Sequence, residues 1–255
     1  MISKSKISQI RSLHLKKNRD EQNLFIIEGI KSCTELIHSN LEVIDIFLTE
    51  KTAPQFSHLL KNNSFIIVSE NEMERMSCLK TAPEILCIAK IPLFSVSDFD
   101  PHFPILILDE IKDPGNLGTI IRNADWFGIT QILCSENSVE FSNPKVIQAT
   151  MGSFTRVQIV YGDIISYLSS QSQRNIYGMV MDGEPIEKTS FHSNDILIIG
   201  NESHGISTQV LEKINQKILI PHYVSKPKTA ESLNASVASG IVLYEFSKQI
   251  AVQKN

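Results

Sequence analysis

The sequence predicts an α/β protein with a parallel sheet, and three observations support this fold class. Short apolar segments alternate with helix-forming segments along the chain, as in proteins built from layers of strands and helices. In the later part, the short segments are apolar on both faces, which is typical of a buried parallel sheet. Prolines among serines and aspartates interrupt the alternation at 91–104. We therefore predict a small domain at 1–90, a linker at 91–104 and a larger domain at 105–255.

The first domain is predicted to be an α/β unit that binds or positions another molecule, because its sequence holds no catalytic constellation. Ile30, Cys33, Leu36 and Ile37 recur at the spacing of one buried helical face, which predicts a helix at 29–39. The other predicted helices are 2–14, 54–60 and 70–78, and the predicted strands are 24–27, 43–48, 65–68 and 84–90.

The second domain continues the alternation. Strands are predicted at 105–109, 131–134, 157–160, 176–181, 196–200 and 217–220, and helices at 117–127, 144–150, 163–171 and 207–213. A last helix is predicted to begin at Ser232-Leu233-Asn234, because Ser and Asn side chains cap helix N-termini. Its first two turns are filled with small residues, which would let another backbone approach closely.

Composition and charge narrow the function classes. No apolar run reaches the roughly 18 residues of a membrane-spanning helix, and the N-terminus is too polar for a secretory signal. The four cysteines and seven histidines are scattered without ligand spacing, which predicts reduced thiols, a cytoplasmic protein and no metal site. The net charge of −4 disfavours a nucleic-acid partner. However, the N-terminal segment is basic up to Asp20 and ends in Lys16, Lys17 and Arg19, which are either phosphate contacts or a solvated helix face.

The first polar segment of interest follows the predicted strand 105–109. The loop IKDPGN contains a Pro-Gly turn, and Asn116 stands where the next helix would be capped. Arg122 lies on the side of that helix opposite its apolar face. Because open α/β sheets bind ligands outside the carboxyl ends of their strands, Asn116 and Arg122 are predicted to face a site. In the alternative interpretation, Asn116 only caps the helix and Arg122 pairs with Asp125.

Two further segments also follow predicted strands. ILIIGNESHGIS runs from a strand into Gly200 and Glu202, and a glycine at a strand end lets a ligand or another backbone come close. The stretch from Ile220 onward stops a strand at Pro221 and passes through a polar loop before the last helix. Each pattern alone is common in α/β loops.

Together the three segments resemble, in order and rough spacing, the signature motifs of the SpoU/TrmH family of RNA ribose methyltransferases. The matching strings are NLGTIIRNADWFG, IIGNESHGIS, and IP followed by ESLNASVASGI. In addition, KVIQATMGSFTRVQIV is similar to the segment between the family's motifs, and QNLFIIEGIKSCTELI to the substrate-binding domain of many members. The chain departs from the family between Pro221 and Ser232, where the run is longer and holds no glycine.

The resemblance implies a parallel sheet whose C-terminal part forms a deep trefoil knot, with S-adenosylmethionine bound there largely through backbone groups. The matching cofactor positions are Gly200, Ile220 and Leu233, with Met181 at the rim. The resemblance also implies a homodimer, for which Trp126, Phe127 and the last helix are interface candidates, although a core position is the favoured interpretation of Phe127.

The implied reaction is methyl transfer to a ribose 2′-hydroxyl. Arg122 matches the family's arginine; it would stabilise an alkoxide, hold a phosphate that takes the proton, or share its own proton. The residues that would shape the site around it are Asn116, Glu202, Ser232 and Asn234. The N-terminal domain favours ribosomal RNA, because folded RNA is recognised by shape over a broad surface. The alternatives are a transfer-RNA ribose methyltransferase and a non-catalytic RNA-binding or ribosome-assembly factor of the same fold.

Overall fold

A computed structural model describes residues 2–56, 64–223 and 232–253. The end of the predicted helix 54–60 and most of the loop 221–231 lie outside the described residues. Packing divides the chain into two compact units, of which the first comprises 1–92 and 140–155 and the second comprises 93–139 and 156–255. No helix in the described ranges is both long and apolar enough to cross a membrane.

The described elements follow the predicted alternation. The strands are β1 (Leu24–Glu28), β2 (Val43–Thr49), β3 (Ile66–Val68), β4 (Ile85–Lys90), β5 (Ile105–Leu108), β6 (Gln131–Ser135), β7 (Gln158–Gly162), β8 (Ile176–Pro185), β9 (Ile196–Ile199) and β10 (Gln216–Leu219). The α-helices are α1 (Lys4–Ser12), α2 (Lys16–Gln22), α3 (Ile30–Ile37), α4 (Ala53–Phe56), α5 (Glu70–Met76), α6 (Pro114–Trp126), α7 (Pro144–Thr150), α8 (Ile164–Ser169), α9 (Thr208–Leu211) and α10 (Ala235–Gln253).

The first unit contains a four-stranded sheet in the order β1-β4-β2-β3. β4 pairs antiparallel with β1 and β2, whereas β2 and β3 are parallel. The predicted helix 2–14 is present as α1, Lys4–Ser12. Leu15 after it is extended, with φ −96° and ψ 132°, and a second helix, α2, follows. Sequence analysis missed α2.

An aromatic cluster explains why residues 140–155 group with the first unit. Phe25 on β1 is fully buried, and its ring makes edge-to-face contacts with Phe141 at 5.6 Å and Phe154 at 5.9 Å. Such pairs stabilise a core beyond the area that they bury. The sequence-based division had placed 140–155 with the second domain. Which parts of the chain fold independently stays a prediction.

The structure corrects one predicted RNA contact, Arg19. Its side chain is buried, with Nη1 donating to the backbone oxygens of Leu13 and His14 at 2.9 and 3.0 Å. Its Nη2 pairs with Glu140 Oε1 at 2.5 Å, and Nε donates to Ser142 Oγ at 3.4 Å. The prediction that Arg19 contacts phosphate is wrong, because the guanidinium is buried and makes its hydrogen bonds and ion pair inside the first unit.

The second unit is built on six strands that are all parallel, in the order β10-β8-β9-β5-β6-β7. Its core includes Ile105, Ile107, Leu133, Ile196 and Ile198, all essentially inaccessible to solvent. The predicted parallel sheet is confirmed. Because Leu108 of β5 is in register with Ile199 of β9, the loops that follow these two strands begin side by side.

The first prediction concerns stability. Replacing Arg19 by Ala should lower the free energy of unfolding by about 3 kcal/mol, because Glu140 and two backbone carbonyls lose a largely buried partner. The control is Lys17→Ala on the same helix, whose exposed pair with Glu21 should contribute less than about 0.5 kcal/mol. Urea denaturation of both variants measures this difference. Equal midpoints would contradict the structural role of Arg19.

Candidate active site

The site begins at the N-terminus of α6. Asp113 caps this helix, its Oδ1 accepting from the backbone N of Asn116 at 2.8 Å, and Pro114 occupies the first helical position. Proline is favoured there because its missing N–H would have no helical partner. The prediction that Asn116 caps the helix is wrong by three residues. Its side-chain amide is thereby available for other contacts.

A chain of side-chain hydrogen bonds connects the three polar segments. Asn116 Nδ2 donates to Glu202 Oε1, and Asn234 Nδ2 donates to Asn116 Oδ1 at 2.9 Å. A carboxylate accepts hydrogen bonds, so the NH₂ group of the Asn116 side chain points to Glu202. The Asn116 side-chain oxygen therefore points to Asn234. We call these three residues the polar chain.

The polar chain ends at the last helix. Asn234 Oδ1 accepts from the backbone N of Ser236 at 2.9 Å and of Val237 at 3.3 Å, which caps α10. The predicted asparagine cap is therefore confirmed, although α10 begins at Ala235 and not at Ser232. The capping bonds leave the Asn234 amide group as the donor toward Asn116, so every amide in the chain has one consistent orientation.

Glu202 is carried by a compact loop. Asn201 and Gly205 exchange two backbone hydrogen bonds, at 2.9 and 2.8 Å, and Asn201 Oδ1 accepts from the backbone N of Ser203 at 2.8 Å. A Cβ on Gly200 would lie 2.3 Å from the Gly205 carbonyl carbon and the Ile206 nitrogen, so only glycine fits. The close approach predicted at Gly200 is thus made by the chain's own backbone.

The Glu202 loop is attached at both ends to the residues that follow β5. Asn201 Nδ2 donates to the backbone oxygen of Glu110 at 2.9 Å, and the buried Asp109 accepts from the backbone N of Ser207 at 2.7 Å through Oδ2. Glu110 has φ +56°, a left-handed conformation that non-glycine residues rarely adopt. Sequence analysis missed Asp109 and Asn201; the signals were an acid at the end of an apolar strand and the Asn of GNE.

A second amide on α6 holds α10 in place. Asn123 Nδ2 donates to the Ser236 backbone oxygen at 2.9 Å and to Ser239 Oγ at 3.0 Å, and Ser239 is fully buried. A Cβ on Gly240 would be 3.4 Å from this amide nitrogen. The small residues of α10 therefore allow the close helix packing that their sequence predicted.

Arg122 is not part of the polar chain. It is exposed on α6, and within the described residues it makes no hydrogen bond or ion pair. Asp125 pairs with Arg156 Nη2 at 2.7 Å, so the alternative interpretation that pairs Arg122 with Asp125 is wrong. The guanidinium of Arg122 is consequently available to a ligand.

The remaining predicted site residues lie around the strand ends without joining the polar chain. Ser232 is exposed, Leu233 is 47% exposed, and Ile220 is half-buried directly after β10. Met181 is 77% exposed within β8, which continues to Pro185. In the described ranges, no group of three or more His, Cys, Asp or Glu side chains is placed to bind a metal ion.

Comparison with known families decides the relationship. Residues 104–244 match the model of the SpoU rRNA Methylase family, and residues 4–87 match that of the MRM3-like substrate binding domain. This chain belongs to the SpoU rRNA methylase family. The resemblance inferred from the three motifs is confirmed.

Several SpoU relatives match nearly the whole chain. The 23S rRNA (guanosine(2553)-2′-O)-methyltransferase RlmP of Bacillus subtilis is 28% identical over 244 residues, covering 94% of this chain and 95% of its own. A putative RNA methyltransferase of the TrmH family from Porphyromonas gingivalis superposes with a TM-score of 0.84 at 28% identity, over 98% of this chain and 99% of its own. The AdoMet-bound rRNA methyltransferase from Sinorhizobium meliloti, with a TM-score of 0.85 at 23% identity over 97% and 96% of the chains, shares the fold.

A second prediction concerns the attachment of the Glu202 loop. Asp109→Ala removes the acceptor for the Ser207 N–H, so amide exchange in 200–207 should rise about ten- to a hundredfold, given the usual strength of hydrogen bonds to charged groups. Asp109→Asn keeps an acceptor oxygen and should restore most of the protection. Hydrogen–deuterium exchange measures both, with β6 and β7 as an internal reference. If Ala and wild type exchange alike in 200–207, Asp109 does not hold the loop.

Proposed function

We propose that this protein transfers a methyl group from S-adenosylmethionine to a ribose 2′-hydroxyl of ribosomal RNA. The observation that carries the proposal is the polar chain, which joins Glu202, Asn116 and Asn234 at the carboxyl edge of the parallel sheet. Ligands of open α/β sheets bind at this edge. The activity named for the Bacillus relative and the match of residues 4–87 to a substrate-binding domain support ribosomal RNA as the substrate class.

The residues present fit this cofactor. Gly200 and Ile220 directly follow β9 and β10, where backbone groups leave the strand ladder, and Leu233 precedes α10. Leu233 and Met181 have exposed apolar side chains that could pack against an adenine ring. Most ligand pockets are lined by apolar side chains of this kind. S-adenosylmethionine supplies a methyl group on a sulfonium, which is already electrophilic. The protein therefore has to activate the ribose hydroxyl.

Arg122 is the residue that acts on the ribose oxygen. A guanidinium is a poor resting base. Directed at the 2′-oxygen, it stabilises the negative charge that develops there while the hydroxyl proton passes to a neighbouring phosphate of the RNA, as preorganised donors do in other enzymes. Glu202 is engaged by Asn116, so its contribution is to hold the polar chain in position.

The proposal includes a trefoil knot in the C-terminal part of the sheet. One close backbone approach between segments distant in sequence supports it: a Cβ on Gly183 of β8 would lie 2.6 Å from backbone atoms of Ile218 on β10. The match of residues 104–244 to the SpoU family model supports it as well.

The proposal also includes a homodimer formed through α10 and α6. Val237, Ile241 and Tyr244 form a stripe on α10 at i, i+4 and i+7 and are 53%, 38% and 55% exposed. Trp126 at the end of α6 is 82% exposed, and Phe127 packs edge-to-face on Tyr244 at 6.2 Å. A contiguous apolar stripe of this kind is typical of a protein interface.

A cytoplasmic location is proposed from the free cysteines alone.

The third prediction tests the mechanism. Arg122→Ala should lower single-turnover methyl transfer by about two to three powers of ten, because one electrostatic donor to the transition state is lost. Arg122→Lys should fail nearly as badly, since an ammonium lacks the planar fork. Cofactor affinity, measured by calorimetry, should stay unchanged in both variants because backbone groups at other loops hold the cofactor.

The matched control is Arg156→Ala, which removes a guanidinium that pairs with Asp125 of α6. This variant should keep near-normal turnover. Normal turnover in Arg122→Ala would remove Arg122 from the mechanism, and loss of cofactor binding along with turnover would assign it a structural role.

A further inference from the structure

The lysines of the first unit differ in whether an acid neutralises them. Five form ion pairs at 2.5–3.7 Å: Lys6 with Asp45, Lys16 with Asp20, Lys17 with Glu21, Lys31 with Glu35 and Lys90 with Glu42. By contrast, Lys4 and Arg11 are exposed on α1 and have no acidic partner within the described residues. Lys51, Arg75, Lys80 and Lys145 of this unit also have no ion pair among the described residues, but none of them shares a helix with a second unpaired cation, as Lys4 and Arg11 do on α1.

Lys4 and Arg11 lie on one face of α1. With Ser8 they occupy positions i, i+4 and i+7, so they form a stripe on the order of 10 Å long at 1.5 Å per residue. Ile7 and Ile10, on an adjoining side of the helix, are buried, whereas Lys4, Ser8 and Arg11 are exposed. The stripe is therefore held toward solvent by the packing of the helix.

The other exposed side chains of α1, Ser5 and Gln9, are neutral and polar, and the helix contains no Asp or Glu. Lys6 is half-buried and paired with Asp45, and the half-buried Ser12 donates its hydroxyl to the Gln9 backbone oxygen at 2.6 Å. Hydroxyl and amide groups that remain free donate hydrogen bonds to phosphate oxygens without adding charge. A polyanion placed on this surface meets donors and cations and no carboxylate of the same helix.

Helix α2 offers a less favourable surface. Asp20 and Glu21 are exposed beside Lys16 and Lys17, and Arg19 is buried, so the exposed side chains of α2 carry no net charge. A phosphate approaching either lysine also approaches a carboxylate. The Coulomb attraction and repulsion largely cancel at these separations.

We propose that α1 is the surface with which the first unit contacts the RNA backbone, and that Lys4 and Arg11 bind its phosphates. This inference rests on RNA being the substrate, as proposed above. It assigns the phosphate contacts, which the sequence predicted at Lys16, Lys17 and Arg19, to the preceding helix. The substrate-binding family model begins at residue 4, so α1 lies within it.

The test compares two double variants with the same change in net charge. Lys4→Ala with Arg11→Ala removes the stripe, and Lys16→Ala with Lys17→Ala removes two cations from the adjacent helix. The affinity of each full-length protein for unmodified ribosomal RNA is measured between about 50 and 200 mM salt. The slope of log K against log salt should fall by about 0.7–0.9 per lost contact, hence by roughly 1.5 in the α1 variant only.

Two further measurements keep the result specific. Lys4→Arg with Arg11→Lys preserves both charges and should restore the wild-type slope. Thermal midpoints should match in all variants because the replaced side chains are exposed. Equal slopes for the α1 variant and wild type, or equal losses in both double variants, would overturn the assignment of α1 while leaving RNA as the partner. Absence of RNA binding by the wild type would instead overturn the proposed function and this surface with it.

Discussion

The hydrogen-bonded chain from Glu202 through Asn116 to Asn234 is the constraint on which the candidate site depends. Each residue belongs to a different segment, one after β9, one in the first turn of α6 and one capping α10. Because the carboxylate can only accept and the helix N-terminus can only donate, the two amides between them have a single consistent orientation. These three segments, which are far apart in sequence, are thereby fixed relative to one another.

The parallel sheet supplies the frame for this chain. Registering Leu108 with Ile199 starts two loops at adjacent strand ends, and Asp109 and Asn201 then connect those loops directly. Gly200 allows the Glu202 loop to fold back on itself. The resulting site has its holding groups bonded to one another, whereas Arg122 is left unbonded among the described residues. This separation is suited to a reaction in which the protein holds two substrates and one charged group acts on the transition state.

Much of this organisation could be predicted from the sequence because it is locally encoded. Apolar runs identified the strands of the parallel sheet, and Asn234 ahead of a run of small residues identified the start of α10. The three motifs were sufficient for the family. Asn116 was misassigned as a cap because Asp113 and Asn116 are both good capping residues, and only backbone geometry decides between them.

The parts that sequence analysis missed depend on distant partners. Arg19 lies in a basic run typical of a solvated face, and Glu140, the acid that pairs with its buried guanidinium, is 121 residues away. The grouping of 140–155 with the first unit likewise depends on Phe25 contacting Phe141 and Phe154. Neither contact has a local signal, so spacing and propensity could not find them.

The most direct measurement of the central claim is where a labelled methyl group ends up. The full-length protein is incubated with tritium-labelled S-adenosylmethionine and unmodified ribosomal RNA, and the RNA is then hydrolysed in alkali. A 2′-O-methyl group removes the hydroxyl that alkaline cleavage requires, so the account predicts label in alkali-stable dinucleotides. Label released in mononucleotides would indicate methylation of a base, and either that result or the absence of label in the RNA would contradict the account.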